Sequence, residues 1–212
     1  MVDASVRAVS RPGATENESG RVAFYYWSVF GLWLLFLTIW MISSLGAKKS
    51  VRDRASSRGI VVRLVVVALV LLWLRLQSIS HGFHHATIYL PNRNVALGIA
   101  GVTLCALGIG FAIYARFYLG SNWGLPMSRK ANPELITSGP YALVRHPIYT
   151  GLLLAMIGSA LAESVTWALA LLVFGPYFVY SARVEERTMA DAFPEQYTAY
   201  RERTKMLVPF VY

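Results

Sequence analysis

The residues from Gly139 to Gly151, GPYALVRHPIYTG, combine charged, aromatic and helix-starting side chains where a polar, basic loop meets an apolar segment. Pro147 suits the first turn of a helix, because the N–H that proline lacks would have no partner there. Arg145 and His146 then lie at the helix N-terminus, where unpaired backbone N–H groups and the helix dipole favour an anion. The same segment holds two aromatic rings, those of Tyr141 and Tyr149. The pattern predicts a corner that holds a zwitterionic ligand at a membrane surface, and a plain interfacial belt of basic and aromatic residues is the alternative.

A second polar cluster, Arg183-Val184-Glu185-Glu186-Arg187, follows the last apolar block of the chain. We expect its helix to run to about Ala192, because Pro194 disfavours helix at the preceding residue and suits the first turn of a new one. One interpretation is a solvated amphipathic tail with local ion pairs. The other is that a carboxylate of this cluster folds back to the Arg145–His146 corner, where it accepts hydrogen bonds from ribose hydroxyls or an ammonium group.

Four apolar blocks must position these two clusters. The chain has 212 residues, of which 56% are apolar, and a mean hydropathy of +0.47, which is too hydrophobic for an ordinary soluble domain. The first three blocks each match one bilayer crossing of about 20 residues, whereas the fourth is longer and is interrupted by Glu163 and Ser164. We therefore predict an all-α, polytopic membrane protein with five transmembrane helices, the last two forming a hairpin. The spans are expected near residues 24–45, 60–79, 95–119, 148–162 and 165–183.

Outside the spans, the sequence predicts a short tail and no second domain. Residues 1–20 are polar and are expected to be disordered, and residues 21–212 form a single membrane domain. Cys105 is the only cysteine, so no intrachain disulfide can form. Four glycines of the third span, Gly98, Gly101, Gly108 and Gly110, predict close contact with another helix.

The basic residues predict the orientation of the chain in the membrane. Lysine and arginine outnumber aspartate and glutamate by 20 to 11, which gives a formal net charge of +9. The basic residues are dense between the first two spans but scarce between the second and third. This alternation predicts an outside N-terminus, with the C-terminus and the Arg145–His146 corner cytoplasmic. Because the basic residues lie beside apolar spans, we expect the lipid bilayer as a partner and no nucleic acid.

Other chemical motifs are weak. The sequence has no P-loop, no G-x-G-x-x-G after a strand and no G-x-S-x-G elbow, so covalent catalysis by an activated nucleophile has no support. His81, His84 and His85 include a pair with zinc-ligand spacing, but no Cys, Asp or Glu lies nearby in the sequence. We interpret this segment as an interfacial loop and expect no metal.

The two polar clusters together resemble the isoprenylcysteine carboxyl methyltransferase family. Gly139 to Gly151 is similar to its G-P-Y-x-x-V-R-H-P-x-Y-x-G signature, and Glu185-Glu186 to the start of its E-E…F-G-x-x-Y-x-x-Y tail. The further matches are Phe193, Tyr197, Tyr200, Leu119-Gly120-Ser121-Asn122-Trp123 and Leu135-Ile136-Thr137. The resemblance covers Phe117 to Pro209, and phospholipid N-methyltransferases share a looser form of the pattern.

The resemblance implies a small integral membrane enzyme that uses S-adenosyl-L-methionine near the cytoplasmic face, with residues 120–150 and 181–212 as its cofactor region. Carried over by position, the residues that line the cofactor pocket are Leu135, Ile136, Tyr141, His146, Pro147, Ile148, Tyr149 and Glu185. We expect Arg145, Arg183 or Glu186 to contact a lipophilic methyl acceptor that enters from the membrane. Prenylated cysteine, another lipid, a small thiol and an isoprenoid acid are the acceptors considered.

The chain departs from the family pattern at three positions. Pro133 stands where His is common, and Pro194 replaces the usual Gly. Ser181 stands where members acting on prenylated cysteine carry Arg, and Arg183 lies about 200° further round the helix, so it does not simply substitute.

Two other functional classes are considered beside the methyltransferase. An NADPH-dependent sterol or steroid reductase has a similar C-terminal design, but Ile148 and Leu152 occupy the places of its typical Asn and acidic residue. The other is a non-enzymatic membrane scaffold, which the departures at Pro133 and Ser181 would suit.

Overall fold

The computed structural model describes residues 12–43, 94–120, 134–163 and 166–211. Over these ranges the chain forms five α-helices and one 3-10 turn, and its only β-type pairing is a single bridge. The helices are α1 (Pro12–Ser43), α2 (Val95–Leu119), α3 (Pro147–Ala162), α4 (Thr166–Ala192) and α5 (Pro194–Arg203), and the turn is Gly139–Ala142. The predicted all-α class is confirmed for the described residues.

Among the described residues, three helices are long and apolar enough to cross a bilayer, over Gly20–Ser43, Val95–Leu119 and Trp167–Ala192. Helix α3 is a shorter apolar helix of 16 residues. The spans predicted near 24–45, 95–119, 148–162 and 165–183 therefore each fall on a helix. The span predicted at 60–79 lies outside the described residues, so the count of five crossings and the orientation stay predictions.

Helix α1 begins earlier than expected. It starts at Pro12, so residues 12–20 are helical where the sequence analysis predicted disorder. Proline fits the first turn, and each residue added to an existing helix gains a hydrogen bond without a new nucleation cost, so the apolar span extends through its polar flank. Residues 1–11 lie outside the described residues.

Helix α4 continues beyond its apolar part to Ala192, as the sequence predicted, and Pro194 opens α5. The backbone N–H of Phe193 still donates to the carbonyl of Met189 at 2.8 Å, so α5 follows α4 almost without a break. This continuation carries Glu185 and Glu186 on the polar end of a helix whose other end is apolar.

Helices α2 and α3 pack through backbone against backbone. A Cβ added at Gly108 would lie 2.5 Å from the amide nitrogen of Ala155, and one added at Gly158 would lie 2.3 Å from that of Cys105. Because these neighbours are main-chain atoms, no side chain fits without separating the helices. The contact predicted for Gly101 and Gly108 is confirmed, whereas Gly110 faces open space.

Helix α1 covers this pair with aromatic side chains. Phe36 is buried against Cys105, Ile109 and Ala112, and the indole N–H of Trp33 donates to the hydroxyl of Ser159 at 3.0 Å. Cys105 is buried as a small packing residue in this cluster.

The glycine contacts predict a pair of variants with different outcomes. Gly108→Ala should lower the unfolding temperature of the detergent-solubilised protein, because overpacking a close contact costs about 1–3 kcal/mol. Gly110→Ala, two residues away on the same helix, meets nothing within 4 Å and should leave the temperature unchanged or raise it. Equal melting temperatures for the two variants would contradict the packing described.

Candidate functional site

The two polar clusters identified in the sequence meet in the structure. Nδ1 of His146 lies 3.6 Å from Oε2 of Glu185, and its Nε2 lies 3.5 Å from Oε1 of Glu186. Nε of Arg145 donates to the same Glu186 oxygen at 2.6 Å. The imidazole therefore lies between two carboxylates that are adjacent in sequence and project from α4 in different directions.

Backbone hydrogen bonds from the segment after α5 fix the Arg145–His146 corner. The N–H of Arg145 donates to the carbonyl of Lys205 at 2.9 Å, and the N–H of His146 to that of Met206 at 3.1 Å. Val144 and Lys205 form the parallel bridge mentioned above. The hydroxyl of Thr150 donates to the carbonyl of Leu207 at 2.7 Å, which extends the attachment by one helical turn. The chain after α5 is thus part of the site.

Helix α5 holds the turn that precedes the corner. The hydroxyl of Tyr200 donates to the carbonyl of Tyr141 at 2.6 Å, and both rings are buried. Burial raises the pKa of the Tyr200 hydroxyl to about 12, so it stays protonated and donates at neutral pH. Gly139 opens the turn with φ of +58°, and a Cβ there would lie 2.5 Å from the ring of Tyr118, so both conformation and space require glycine.

Tyr149 orients the carboxylate of Glu185. Its hydroxyl donates to Oε1 of Glu185 at 2.6 Å. Its ring lies nearly parallel to that of His146, with centroids 5.7 Å apart, and to that of Phe178, with centroids 5.1 Å apart. These stacked rings hold the hydroxyl in place, and Phe178 is a supporting residue that was not predicted from the sequence.

The charge on His146 is set by two opposing effects. Burial lowers the pKa of its imidazole, but the nearby carboxylates of Glu185 and Glu186 outweigh burial and raise the pKa above its ordinary value. His146 therefore favours the imidazolium form more than a solvent-exposed histidine does. Its Nε2 is buried and makes no hydrogen bond of good geometry, although Glu186 lies close to it.

A basic cavity of about 520 Å³ opens on the other side of the Arg145–Glu186 pair. Its polar lining is Arg145, Arg183, Glu186, Arg187, Arg201, Thr204 and Lys205. The structure thus brings the three predicted acceptor residues, Arg145, Arg183 and Glu186, to one cavity. Arg187, Arg201 and Lys205 were not predicted as site residues; only the four-residue spacing of Arg183 and Arg187 on a helix hinted at a shared face.

The remaining predicted cofactor residues lie around the start of α3. Pro147 is buried at the first position of α3, and Ile148 packs beside Tyr149 and Met206. Leu135 and Ile136 are half-buried in the irregular segment that leads to the Gly139–Ala142 turn. Their predicted contact with a cofactor stays a prediction. Pro133 and the His81–His85 segment lie outside the described residues, and among the described ones no three His, Cys, Asp or Glu side chains are grouped to hold a metal ion.

The two polar motifs thus meet at the end of apolar helices. The sequence that forms this site also matches a known family. The family model described as "Phospholipid methyltransferase" matches residues 97–196, which include the Arg145–His146 corner and both glutamates. Over these residues, which are just under half of the chain, the sequence is similar to the phospholipid methyltransferase family, and the resemblance predicted from the two motifs is confirmed.

Curated relatives carry several names. The "Cobalt-zinc-cadmium resistance protein CzcN" of Cupriavidus metallidurans is 40% identical over 111 residues, covering 51% of this chain and 49% of the relative. The "Nickel-cobalt-cadmium resistance protein NccN" of Alcaligenes xylosoxydans xylosoxydans is 28% identical over 160 residues, covering 74% and 65%. The "Protein-S-isoprenylcysteine O-methyltransferase" of Rattus norvegicus is 30% identical over 119 residues, covering 54% and 42%. The chain therefore spans between 42% and 65% of the length of these relatives.

The Arg145–Glu186 pair predicts a stability difference. Glu186→Gln should lower the free energy of unfolding by about 1.5–3 kcal/mol, because a hydrogen bond between charged groups is lost and Arg145 keeps its charge. The two side chains are 10% and 12% exposed, so water replaces the carboxylate poorly. Glu202→Gln, which changes an exposed glutamate of α5, is the matched control and should stay within about 0.5 kcal/mol of the parent. Denaturant unfolding measures both variants, and an equal loss of unfolding free energy in Glu186→Gln and Glu202→Gln would refute a special role for the Arg145–Glu186 pair.

His146 predicts a pH-dependent contribution to stability. Its folded pKa is raised, so the stabilisation is fully present below the unfolded pKa of about 6.5 and is lost as pH rises through the folded pKa. The difference in unfolding temperature between the parent and His146→Gln should therefore shrink as pH rises from about 5.5 to about 8.5. Thermal unfolding of both proteins across this pH range measures the difference. A difference that grows with pH would show that protonation of His146 does not stabilise the fold.

Proposed function

We propose that the chain is a membrane methyltransferase that transfers a methyl group from S-adenosyl-L-methionine to a lipophilic acceptor. The observation that carries the proposal is the junction of the two motifs, in which His146 lies between Glu185 and Glu186. The similarity of residues 97–196 to the phospholipid methyltransferase family supports this chemistry. In line with the charge pattern of the sequence, we place the site on the cytoplasmic face.

The residues on the Glu185 side suit the methyl donor. S-adenosyl-L-methionine offers an ammonium group and ribose hydroxyls as hydrogen-bond donors and a carboxylate as an acceptor; when bound, it supplies an electrophilic methyl group. Glu185 would accept from the donors, and its carboxylate is already oriented by the Tyr149 hydroxyl. His146, whose Nδ1 lies 3.6 Å from Oε2 of Glu185, would offer a charge-assisted donor to the cofactor's carboxylate. The mainly apolar lining we propose is completed by Leu135, Ile136, Tyr141, Pro147, Ile148 and Tyr149.

The residues on the cavity side suit the acceptor. Arg145, Arg183 and Glu186 line the cavity, and we assign them to contact and orientation of the acceptor. Methylation of a carboxylate or thiolate needs little proton transfer, so in-line placement alone can contribute up to about 7–11 kcal/mol. Attack by an anion on a cationic donor also neutralises charge. Such a reaction gains from a site that excludes water, as the low exposure of Arg145 and Glu186 indicates.

The acceptor class is proposed more broadly than the prenylated cysteine of the named relatives. The rat relative is named a protein-S-isoprenylcysteine O-methyltransferase. In this chain, however, the buried Ser181 occupies the place where that group carries Arg. The proposed acceptors therefore include a lipid, an isoprenoid acid or a thiol as well as isoprenylcysteine. Mass spectrometry of membranes with and without the protein, after incubation with a methyl-labelled donor, identifies which one is modified.

Cofactor binding to the detergent-solubilised protein tests the proposal. Isothermal titration should show binding of S-adenosylhomocysteine and none of NADPH. His146→Ala and Glu185→Ala should each weaken S-adenosylhomocysteine binding about tenfold to hundredfold, because a charged hydrogen bond contributes about 1.5–3 kcal/mol. Glu202→Ala, on the exposed surface of α5, is the control and should bind like the parent.

Each other outcome has a defined meaning. Binding of NADPH in place of S-adenosylhomocysteine would favour the reductase alternative, and binding of neither would favour a scaffold. If both site variants keep the parent affinity within about twofold while folded, the cofactor is held elsewhere.

A further inference from the structure

The basic cavity carries more positive charge than the methyl-transfer proposal uses. Among the described residues, five basic side chains and one carboxylate line the cavity. That carboxylate, of Glu186, accepts a hydrogen bond from Arg145. Arg183, Glu186 and Arg187 lie on one face of α4 at helical spacing, while Arg201 and Lys205 come from α5 and the segment after it. The field in the cavity therefore favours an anion and opposes a cation such as a sulfonium.

The cavity lies beside the exposed apolar part of α4. Leu172 and Val173 are 70% and 67% exposed, as expected for apolar side chains that contact lipid. Tyr180 is the last exposed aromatic of this face, and Arg183 follows it by three residues, or about 4.5 Å along the axis. The basic lining thus begins where the exposed apolar surface ends, which is the arrangement expected at the level of lipid headgroups.

The C-terminal segment gives the cavity an apolar edge. Val211 lines the cavity directly, and the neighbouring Phe210 is 93% exposed. Val208 is exposed as well. An exposed phenylalanine beside basic residues is typical of a segment that rests in the membrane interface. Positive charge and apolar side chains therefore border the same opening.

We propose that this cavity binds the phosphate group of an anionic phospholipid, while Val208, Phe210 and Val211 lie among the adjoining acyl chains. Arginine and lysine side chains recognise phosphate through charge-assisted hydrogen bonds. The phosphate is assigned to Arg187, Arg201 and Lys205, which the methyl-transfer proposal does not use. The apolar edge favours a lipid over free phosphate, which has no apolar part to bury. This lipid holds the C-terminal segment against the membrane and is not the methyl acceptor, so the inference goes beyond the proposed function.

Lipid binding to the full-length protein in a neutral detergent tests this, without a methyl donor. Microscale thermophoresis compares dioctanoyl phosphatidylglycerol, dioctanoyl phosphatidylcholine and sodium phosphate. Each basic residue near an anionic lipid contributes about fivefold to binding, so Arg187→Gln with Lys205→Gln should weaken phosphatidylglycerol binding about 25-fold. Arg203→Gln removes an exposed arginine of α5 that does not line the cavity and is the matched control.

Three results would overturn the proposal. The first is equal affinity of the parent for phosphatidylglycerol and phosphatidylcholine. The second is equal affinity of the double variant and Arg203→Gln for phosphatidylglycerol. The third is complete displacement of phosphatidylglycerol by inorganic phosphate that binds with the same affinity as the lipid. The last result would identify soluble phosphate as the occupant. If the double variant does not fold, each single variant should show the fivefold loss, and neither showing it counts against the lipid site.

Discussion

One buried histidine between two carboxylates is the constraint on which the polar end of this molecule depends. Ionised groups removed from water are costly unless each is paired and hydrogen-bonded. Here His146 lies between Glu185 and Glu186, Arg145 donates to Glu186, and Tyr149 donates to Glu185. Because both carboxylates belong to α4 and the cations precede α3, separation of these helices would leave charges without partners. The polar end of α4 is therefore held against the start of α3.

The position of that start is fixed from the opposite side by close helix packing. A Cβ added at Gly151 would lie 2.5 Å from the carbonyl oxygen of Gly108, so the first turns of α3 rest directly on the backbone of α2. Lys205 and Met206 complete the attachment through their carbonyls, which receive the N–H groups of Arg145 and His146. The charge cluster thus lies between a closely packed helix pair and a short peptide segment.

The sequence predicted the side chains of this arrangement better than its backbone partners. Pro147 and Pro194 marked the helix starts because proline changes local geometry in a way that pattern reasoning detects. The meeting of His146 with Glu185 was predicted from two motifs read together. Lys205 and Met206 were missed since they act through carbonyl groups, which every residue carries, and the basic cavity was missed because it requires knowledge of how α5 folds back on α4. The helical start at Pro12 was missed because polar composition alone suggested disorder.

Glu185 and Glu186 also divide the site electrostatically. The Glu185 side presents a carboxylate and stacked rings, which favour a cationic group, whereas the Glu186 side opens into a cavity lined by arginine and lysine, which favours an anion. Consecutive helix positions project about 100° apart, so two neighbouring glutamates are enough to separate the two environments. A positively charged methyl donor and a negatively charged acceptor would therefore approach from different sides and meet beside the Arg145–Glu186 pair. Exchange of the two would place like charges together in a region where little water screens them.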